Sequence, residues 1–435
     1  MPARTVADAC PGVFAPHDAA DGALARIRLP GGAISSSALR VIADCADELG
    51  DGRVHLTSRG NLQLRGLSRT PALARRLAAA GLLPSTTHER VRNVLASPLS
   101  GVAGDPVARV AAAGGTTVGT RGSRSCDVRG LAAALDRGLC ARPVLAELPG
   151  RFLFALDDGR GDVAAEDPDL CWRAPGVLLV AGVDTGLRVP FDDAVTALLD
   201  AAEAFLALRA ADAAGGGGAD GNAANGRANG SGTGGSGGAW RAAELADGPA
   251  RIAAMLGART PWEDGHLHTT ERPEGGLPPT GAAAPGPVPR DDGGTALVVA
   301  PLLGELTAAQ VRLLADATPR SGAAVVTPWR TVVLPDPCLP ATALAAGGLL
   351  VDHGPAAQLS ACAGRPGCAK ALADVRGDAR AALGRMPRVG LPQGRVHVSG
   401  CARRCGAPRT PHVDAVALAG GGYEIDGVSH PGLAR

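Results

Sequence analysis

Apolar and polar residues along this chain change period twice in the same way. An extended run, Ala23 to Leu29, passes through glycine to Ser35, and a second, Ala296 to Leu302, passes through glycine to Thr307. After each, apolar residues recur at i, i+3 and i+4, as Val311, Leu314 and Ala315 do, which predicts a helix with one buried stripe. Ser35 and Thr307 are N-cap residue types, and Thr307 with Gln310 has the spacing of a capping box. Two further extended runs follow each helix: Val54 to Thr57 with Leu62 to Leu64, and Val325 to Thr327 with Val332 to Leu334.

The two stretches superpose. Gly32-Ala33-Ile34-Ser35 through Leu39-Arg40-Val41-Ile42-Ala43-Asp44 lies without gaps over Gly304-Glu305-Leu306-Thr307 through Val311-Arg312-Leu313-Leu314-Ala315-Asp316. Two residues shorter, the second copy resumes the match. The chain is a tandem repeat of one strand–helix–strand–strand unit, which predicts an α+β fold with helices on one face of each sheet. Two copies in one chain predict pseudo-twofold packing with a site between the halves.

Between the copies, Ala211 to Ala239 is Gly, Ala, Asn and Ser with scattered charge. Such a segment cannot bury enough apolar surface to offset its ordering entropy, so a flexible linker is expected. Glu271 to Gly294, rich in Pro and Gly, is expected to be a long surface loop. The full 435 residues exceed one ordinary core and imply several packed units.

Charge narrows the function. With 43 basic and 42 acidic residues there is no global field to draw the chain to nucleic acid or an anionic membrane. No window approaches 18 uninterrupted apolar residues, and Met1 to Phe14 has neither a signal-peptide nor a transit-peptide pattern, so a cytoplasmic protein is expected. Lys370 is the only lysine; every other side-chain cation is arginine.

Ten cysteines in a reducing compartment suit ligands or buried thiols better than disulfides. Cys362 and Cys368 form a C-x5-C pair, and Cys401 and Cys405 a C-x3-C pair, both amid Gly and Pro. Four thiolates in two close pairs can wrap a cubane, one per iron. Arg365, Lys370, Arg403 and Arg404 lie alongside, where cations offset an anionic cluster. Structural zinc also takes four thiolates, usually in pairs at x2 to x4 spacing, and unliganded thiols are the third reading. That last reading is expected for Cys10, Cys45, Cys126, Cys140, Cys171 and Cys338.

Val396-His397-Val398-Ser399-Gly400-Cys401-Ala402-Arg403-Arg404-Cys405-Gly406 resembles the second cluster motif of the nitrite/sulfite reductase superfamily, and Ala361 to Lys370 resembles the first. Thr57-Ser58-Arg59-Gly60-Asn61-Leu62-Gln63-Leu64-Arg65-Gly66 resembles its N-terminal signature, and Arg92-Asn93-Val94-Leu95 its Arg-Asn pair. The resemblance implies tandem ferredoxin-like half-domains (15–82 and 241–354) and two reductase core domains (83–210 and 355–435), joined by the linker at 211–240. The core domains would be related by pseudo-twofold symmetry, with one [4Fe-4S] cluster on the four cysteines. It also implies tetrapyrrole binding by Arg59, Asn61, Arg65, Arg92 and Arg151, arginine being suited to carboxylates by its permanent charge and forked donors. The plain alternative for these arginines is a surface salt bridge.

The reductases place two lysines on a Leu-Pro-x-Lys-Phe-Lys strand to bind substrate and support proton delivery. The matching segment is Leu148-Pro149-Gly150-Arg151-Phe152-Leu153. Arg151 is a poor proton donor and Leu153 no donor at all, and the sole lysine lies in the cluster motif. Six-electron reduction is therefore disfavoured. The resemblance points instead to the branch that oxygenates precorrin-3A with O2 during cobalamin biosynthesis, using electrons from NADH or a reduced carrier, with an electron-donor protein as a further partner. That branch implies a mononuclear non-haem iron, for which two histidines and a carboxylate would be usual. His55, His88 with Glu89, and His397 lie nearest the motifs, but none is nominated and no catalytic residue is assigned. Two other readings are a sirohaem nitrite or sulfite reductase and an iron–sulfur electron-transfer module.

Overall fold

The computed structural model describes residues 10–103, 126–215, 238–259, 284–385 and 395–433. The first repeat runs β1 (His17–Ala19), β2 (Gly22–Ile27), β3 (Ala33–Ser35), α1 (Ser36–Leu49), β4 (Arg53–Leu56), β5 (Leu62–Leu67) and α2 (Thr70–Ala79). Ser35 caps α1, its hydroxyl accepting the Ala38 N–H at 3.2 Å, and the helix turns Leu39, Ile42, Ala46 and Leu49 inward. A first core domain follows, with β6 (Val94–Ala96), α3 (Arg129–Ala141), β7 (Phe154–Asp157), β8 (Leu170–Arg173), β9 (Val177–Val180), β10 (Val183–Arg188), α4 (Ala194–Gly215) and α5 (Gly248–Arg259).

The second repeat comprises β11 (Gly286–Pro289), β12 (Thr295–Val299), β13 (Glu305–Thr307), α6 (Ala308–Ala317), β14 (Ala323–Val326), β15 (Val332–Leu334) and α7 (Ala341–Ala346). The capping box forms as the spacing predicts: the Gln310 N–H donates to Thr307 and the Gln310 side chain accepts from the Thr307 N–H. The second core domain has β16 (Leu359–Ala361), α8 (Val375–Arg385), β17 (Val396–Ser399), β18 (Val413–Ala417), β19 (Tyr423–Ile425) and β20 (Val428–His430).

These elements fall into two compact units. One is built chiefly from Thr87–Gly101 and Asp105–Thr280 and holds the first core domain. Its sheet has the order β10-β9-β8-β7-β6, with β6, β7 and β8 parallel and the last two strands antiparallel. Trp172, Phe154 and Phe152 on the sheet side and Phe205 of α4 fill its core without exposure.

The other unit takes Pro11–Thr86, Val102–Gly104 and Gly281–Arg435, so both repeats and the second core domain share it. Its two repeat sheets have matching orders, β1-β2-β5-β4-β13 and β11-β12-β15-β14-β3, and each is completed by a strand of the other. β13 pairs with β4 (Leu306 opposite Val54) and β3 with β14 (Ile34 opposite Ala324). One apolar core runs through both, joining Ile42 and Leu64 to Leu306 and Leu314. Helices α1 and α6 lie side by side with reciprocal ion pairs: Arg40 with Asp316 at 2.5 Å, and Arg312 with Asp44 and Asp47 at 2.8 and 2.7 Å. The second core sheet, β16-β17-β18-β19-β20, repeats the parallel-then-antiparallel pattern of the first. The same strand pattern thus recurs outside the stretches whose sequences superpose.

Three expected boundaries change. Residues 211–215, assigned to the linker, are the last residues of α4, and 216–237 lie outside the described residues. The second half-domain does not begin at 241: Ala242, Leu245, Ile252 and Leu256 pack into the first core, so the repeat resumes only at β11. Within the expected loop at 271–294, Gly286–Pro289 is a strand at a sheet edge, while 271–283 lie outside the described residues. Pro287 and Pro289 are two apart, so their nitrogens face the same way and neither interrupts the ladder on the β12 side.

Candidate functional site

β16 and β17 are adjacent and parallel, with Ala361 opposite Val398, so the chain leaves both at the same end. Cys362 follows β16 directly, and Gly400-Cys401 follows β17. This topology brings two cysteine pairs, distant in sequence, to one rim. The loops are tied by backbone hydrogen bonds, Cys362 N–H to Val398 O at 3.0 Å and Leu372 N–H to Gly400 O at 2.7 Å. The Gly400 N–H donates to Cys362 Sγ at 3.2 Å. A β-carbon at Gly400 would stand 2.7 Å from that of Ala371, so only glycine lets the loops close.

Burial pushes the Cys405 thiol up, and Cys362, Cys401 and Cys368 push it further, so the four sulfurs share one electrostatic neighbourhood. Cys362, Cys368 and Cys401 are half-buried and Cys405 is exposed. Among the described residues, the only trio of ligand atoms mutually within 4.8 Å is Asp157, Asp158 and Asp162. Four thiols carried to one rim by two parallel strands are a donor set that either a cubane cluster or a structural zinc takes.

Cations hold these loops through their carbonyls. Arg376 donates to Cys362 O at 3.0 Å and pairs with the buried Glu305, which also holds Arg53. Arg365 donates to Ala371 O at 2.8 Å, Arg65 to Gly367 O, and Arg330 to Gly406 O at 2.7 Å. His397, fully buried, lies 2.9 Å from Ser360 Oγ and 3.3 Å from Cys405 O. Burial, with Arg330 nearby, lowers its pKa to about 4, so the ring is neutral. The sequence singles out neither Arg376 nor Glu305, because their roles depend on a contact between a helix and a strand far apart in the chain.

Asn61 and Arg65 are both buried. The Asn61 amide oxygen accepts the Leu29 N–H at 2.9 Å, and the Thr57 hydroxyl accepts the N–H groups of Arg59 and Asn61, which shapes the turn carrying Arg59. Arg65 forks onto Asp21 at 2.7 and 2.8 Å besides holding Gly367 O. Arg92, in the other unit, is 3% exposed and forks onto Asp136 at 2.6 and 2.8 Å. Arg65 and Arg92 are therefore buried ion pairs, neither the surface bridges of the plain alternative nor open forks. Arg59 is half-buried and Arg151 exposed, its guanidinium 5.2 Å from the centre of the Trp240 ring. The Asn93 amide donates to Gly150 O and Phe152 O, so it fixes the backbone on both sides of Arg151. Of the six cysteines expected to be buried thiols, Cys45 and Cys171 are buried, Cys10, Cys126 and Cys140 are half-buried and Cys338 is exposed, a correction to that expectation.

The acidic trio is internally satisfied. Asp157 accepts N–H groups from Gly159, Gly161 and Ala164, Asp162 accepts from Ser97, and Asp158 pairs with Arg160. The trio holds no histidine, the residue type usual at a non-haem iron, so nothing in the sequence marks it. His55 lies 4.0 Å from Glu305, and His88 lies 2.9 Å from Thr87 and 3.1 Å from Arg142 O.

The nitrite/sulfite reductase ferredoxin-like half domain matches residues 17–80. A precorrin-3B synthase from a Sinorhizobium species is 26% identical, over 97% of this chain and 83% of the relative. A ferredoxin–nitrite reductase from Leptolyngbya laminosa is 32% identical over 152 residues, 34% of this chain and 27% of that one. The solved NirA protein of Mycobacterium tuberculosis superposes with a TM-score of 0.61 at 20% identity, covering 88% of this chain and 69% of NirA. The mixed α+β fold is thus shared with the reductases, while similarity along nearly the whole chain is to a precorrin-3B synthase.

Proposed function

We propose that this chain, built on a reductase-like fold and similar over 97% of its length to a precorrin-3B synthase, is itself a precorrin-3B synthase. In that reaction one atom of O2 enters precorrin-3A at the C20 meso carbon while a ring A acetate closes a lactone. The other atom leaves as water, with two electrons from NADH or a reduced carrier. The full-length similarity carries the reading, and the fate of the lysine strand sharpens it. Leu153, where a reductase has its second lysine, is 2% exposed in an apolar cluster and can neither hold nor pass a proton.

In this reading Cys362, Cys368, Cys401 and Cys405 hold a [4Fe-4S] cluster, whose chemistry when bound is the transfer of single electrons. Arg59 and Arg151 are the groups placed to bind substrate carboxylates, each in its own unit. Asn61 shapes the turn that presents Arg59, and Asn93 fixes the backbone on both sides of Arg151. Arg65, forked onto Asp21, fixes the backbone at Gly367, and Arg92 ties its turn to Asp136 of α3. The reciprocal exchange of β3 and β13 supports a pseudo-twofold origin for the two repeats.

Two measurements test this reading. Anaerobically purified protein should show a broad band near 400 nm with about four sulfides per chain and no sirohaem bands. Supplied with precorrin-3A, a reductant and labelled O2, it should give a product heavier by one labelled oxygen. Sirohaem bands with nitrite turnover would make it a reductase, and zinc without sulfide would overturn the cluster.

A further inference from the structure

We propose that Arg330 is a positioning residue that ties the second repeat to the Cys405 loop, fixing that cysteine and holding a positive charge beside it; this rests on the cluster reading above.

Equivalent turns of the two repeats lead to it. Thr57 and Thr327 each receive a backbone bond across their turn, Thr57 N–H to Asn61 O and Thr327 N–H to Thr331 O, both at 2.9 Å. Each hydroxyl also accepts two N–H groups of its own turn, those of Arg59 and Asn61 in one case and of Trp329 and Thr331 in the other. Gly60 and Arg330 occupy the same place, both at φ 61°. Glycine takes that conformation freely, whereas a side chain there costs about 1 kcal/mol. The second repeat therefore holds an arginine where its own geometry favours glycine.

The surroundings show what the side chain does. It passes Gly304, where a β-carbon would stand 2.5 Å from Arg330 Cδ, and ends against Gly406, where one would stand 2.7 Å from Nη2. Two glycines thus leave open the path the side chain takes, and at its end Nη2 donates to Gly406 O, one residue beyond Cys405. Arg65 of the first repeat ends in the same kind of contact, on Gly367 O one residue before Cys368, where a β-carbon would stand 2.9 Å from its Nη2. Each repeat supplies one guanidinium to the carbonyl beside a cysteine, one from each pair. Arg65 shares its charge with Asp21, and the Arg330 guanidinium, held at Gly406 O, lies close enough to His397 to lower that ring's pKa. Groups that orient a ligand in this way typically change affinity about 10- to 100-fold when removed.

The test uses the full chain with its cluster assembled anaerobically, and three variants. R330G removes the side chain and relaxes the backbone, R330M keeps the stem without the donors, and R330K keeps the charge and a donor. Bleaching of the 400 nm absorption in air should be about tenfold faster in R330G and R330M, and R330K should recover most of the wild-type rate. The midpoint potential, followed by EPR, should fall in R330G and R330M and stay near wild type in R330K. Wild-type bleaching and potential in R330G would overturn the proposal. So would loss of folding in R330G, since that would make the side chain a general structural element. Failure of the wild-type chain to assemble any cluster would instead overturn the reading on which the proposal rests.

Discussion

At the scale of single residues, the arginines resembling tetrapyrrole contacts divide into two kinds, and substitution should separate them. Arg92→Ala would leave Asp136 without its bidentate partner in a buried setting, at a cost of about 3 kcal/mol, visible as a lowered denaturant midpoint. Arg59→Ala, at a half-buried turn, should lower the midpoint less than Arg92→Ala does and, if the proposed function holds, weaken precorrin-3A binding. Equal stability losses in the two variants would refute the division. The motifs made these arginines visible, but their partners could not be read. Asp21 and Asp136 reach Arg65 and Arg92 only once the chain has folded, and nothing in the sequence near either arginine names them.

At the scale of elements, the sequence is most informative where a local signal suffices. Both N-caps and the capping box stand where spacing puts them, and Thr307→Ala should destabilise the unit holding α6 by about 1 kcal/mol, read from equilibrium unfolding. No change in the unfolding midpoint would mean that tertiary packing alone holds the helix end. The repeat itself was legible because matched cores demand matched apolar positions. Three features were not. The strand Gly286–Pro289 hides behind a loop-like composition that only a sheet edge tolerates. The attachment of α5 to the first core depends on Ile252 and Leu256, which look alike whichever core receives them. The exchange of β3 and β13 depends on pairing between distant strands, and periodicity tells which face a strand buries but not its neighbour. The cysteine rim was legible in part: spacing picked out the two cysteine pairs that the fold carries to one rim, whereas the arginines and Glu305 behind them came only from the fold.

At the scale of the whole molecule, the two units should answer acid in opposite directions. In the unit holding both repeats, burial and the neighbouring Arg376 lower the His55 pKa to about 3, against about 6.5 unfolded. Between those values the unfolded chain takes up a proton that the folded unit refuses, so stability falls as pH drops from 6.5, by about 1.4 kcal/mol at pH 5.5. Glu305 acts in the same sense at lower pH: burial would raise its pKa, but Arg376, His55 and Arg53 hold it below the usual range. In the other unit, burial holds Asp157 and Asp162 above the usual range, helped by the charge of Asp158 beside Asp157 and of Asp157 beside Asp162. Their contribution is fully present below the unfolded pKa and is lost as pH rises through the folded one. Calorimetry at pH 7.5 and 5.5 should therefore show the transition of the unit with the aspartates rising relative to that of the unit with the repeats. A parallel shift of both would contradict this.

The reciprocal strands also set a timetable for synthesis. β4 leaves the ribosome long before β13 exists to cover its edge, and β3 must wait for β14. At about 5–20 residues per second that interval is of the order of ten seconds or more. For that time the nascent first half carries an open, hydrogen-bonding edge. Two nascent chains on one message could satisfy each other's edges before either finishes, giving interlocked dimers whose yield would rise with the density of ribosomes.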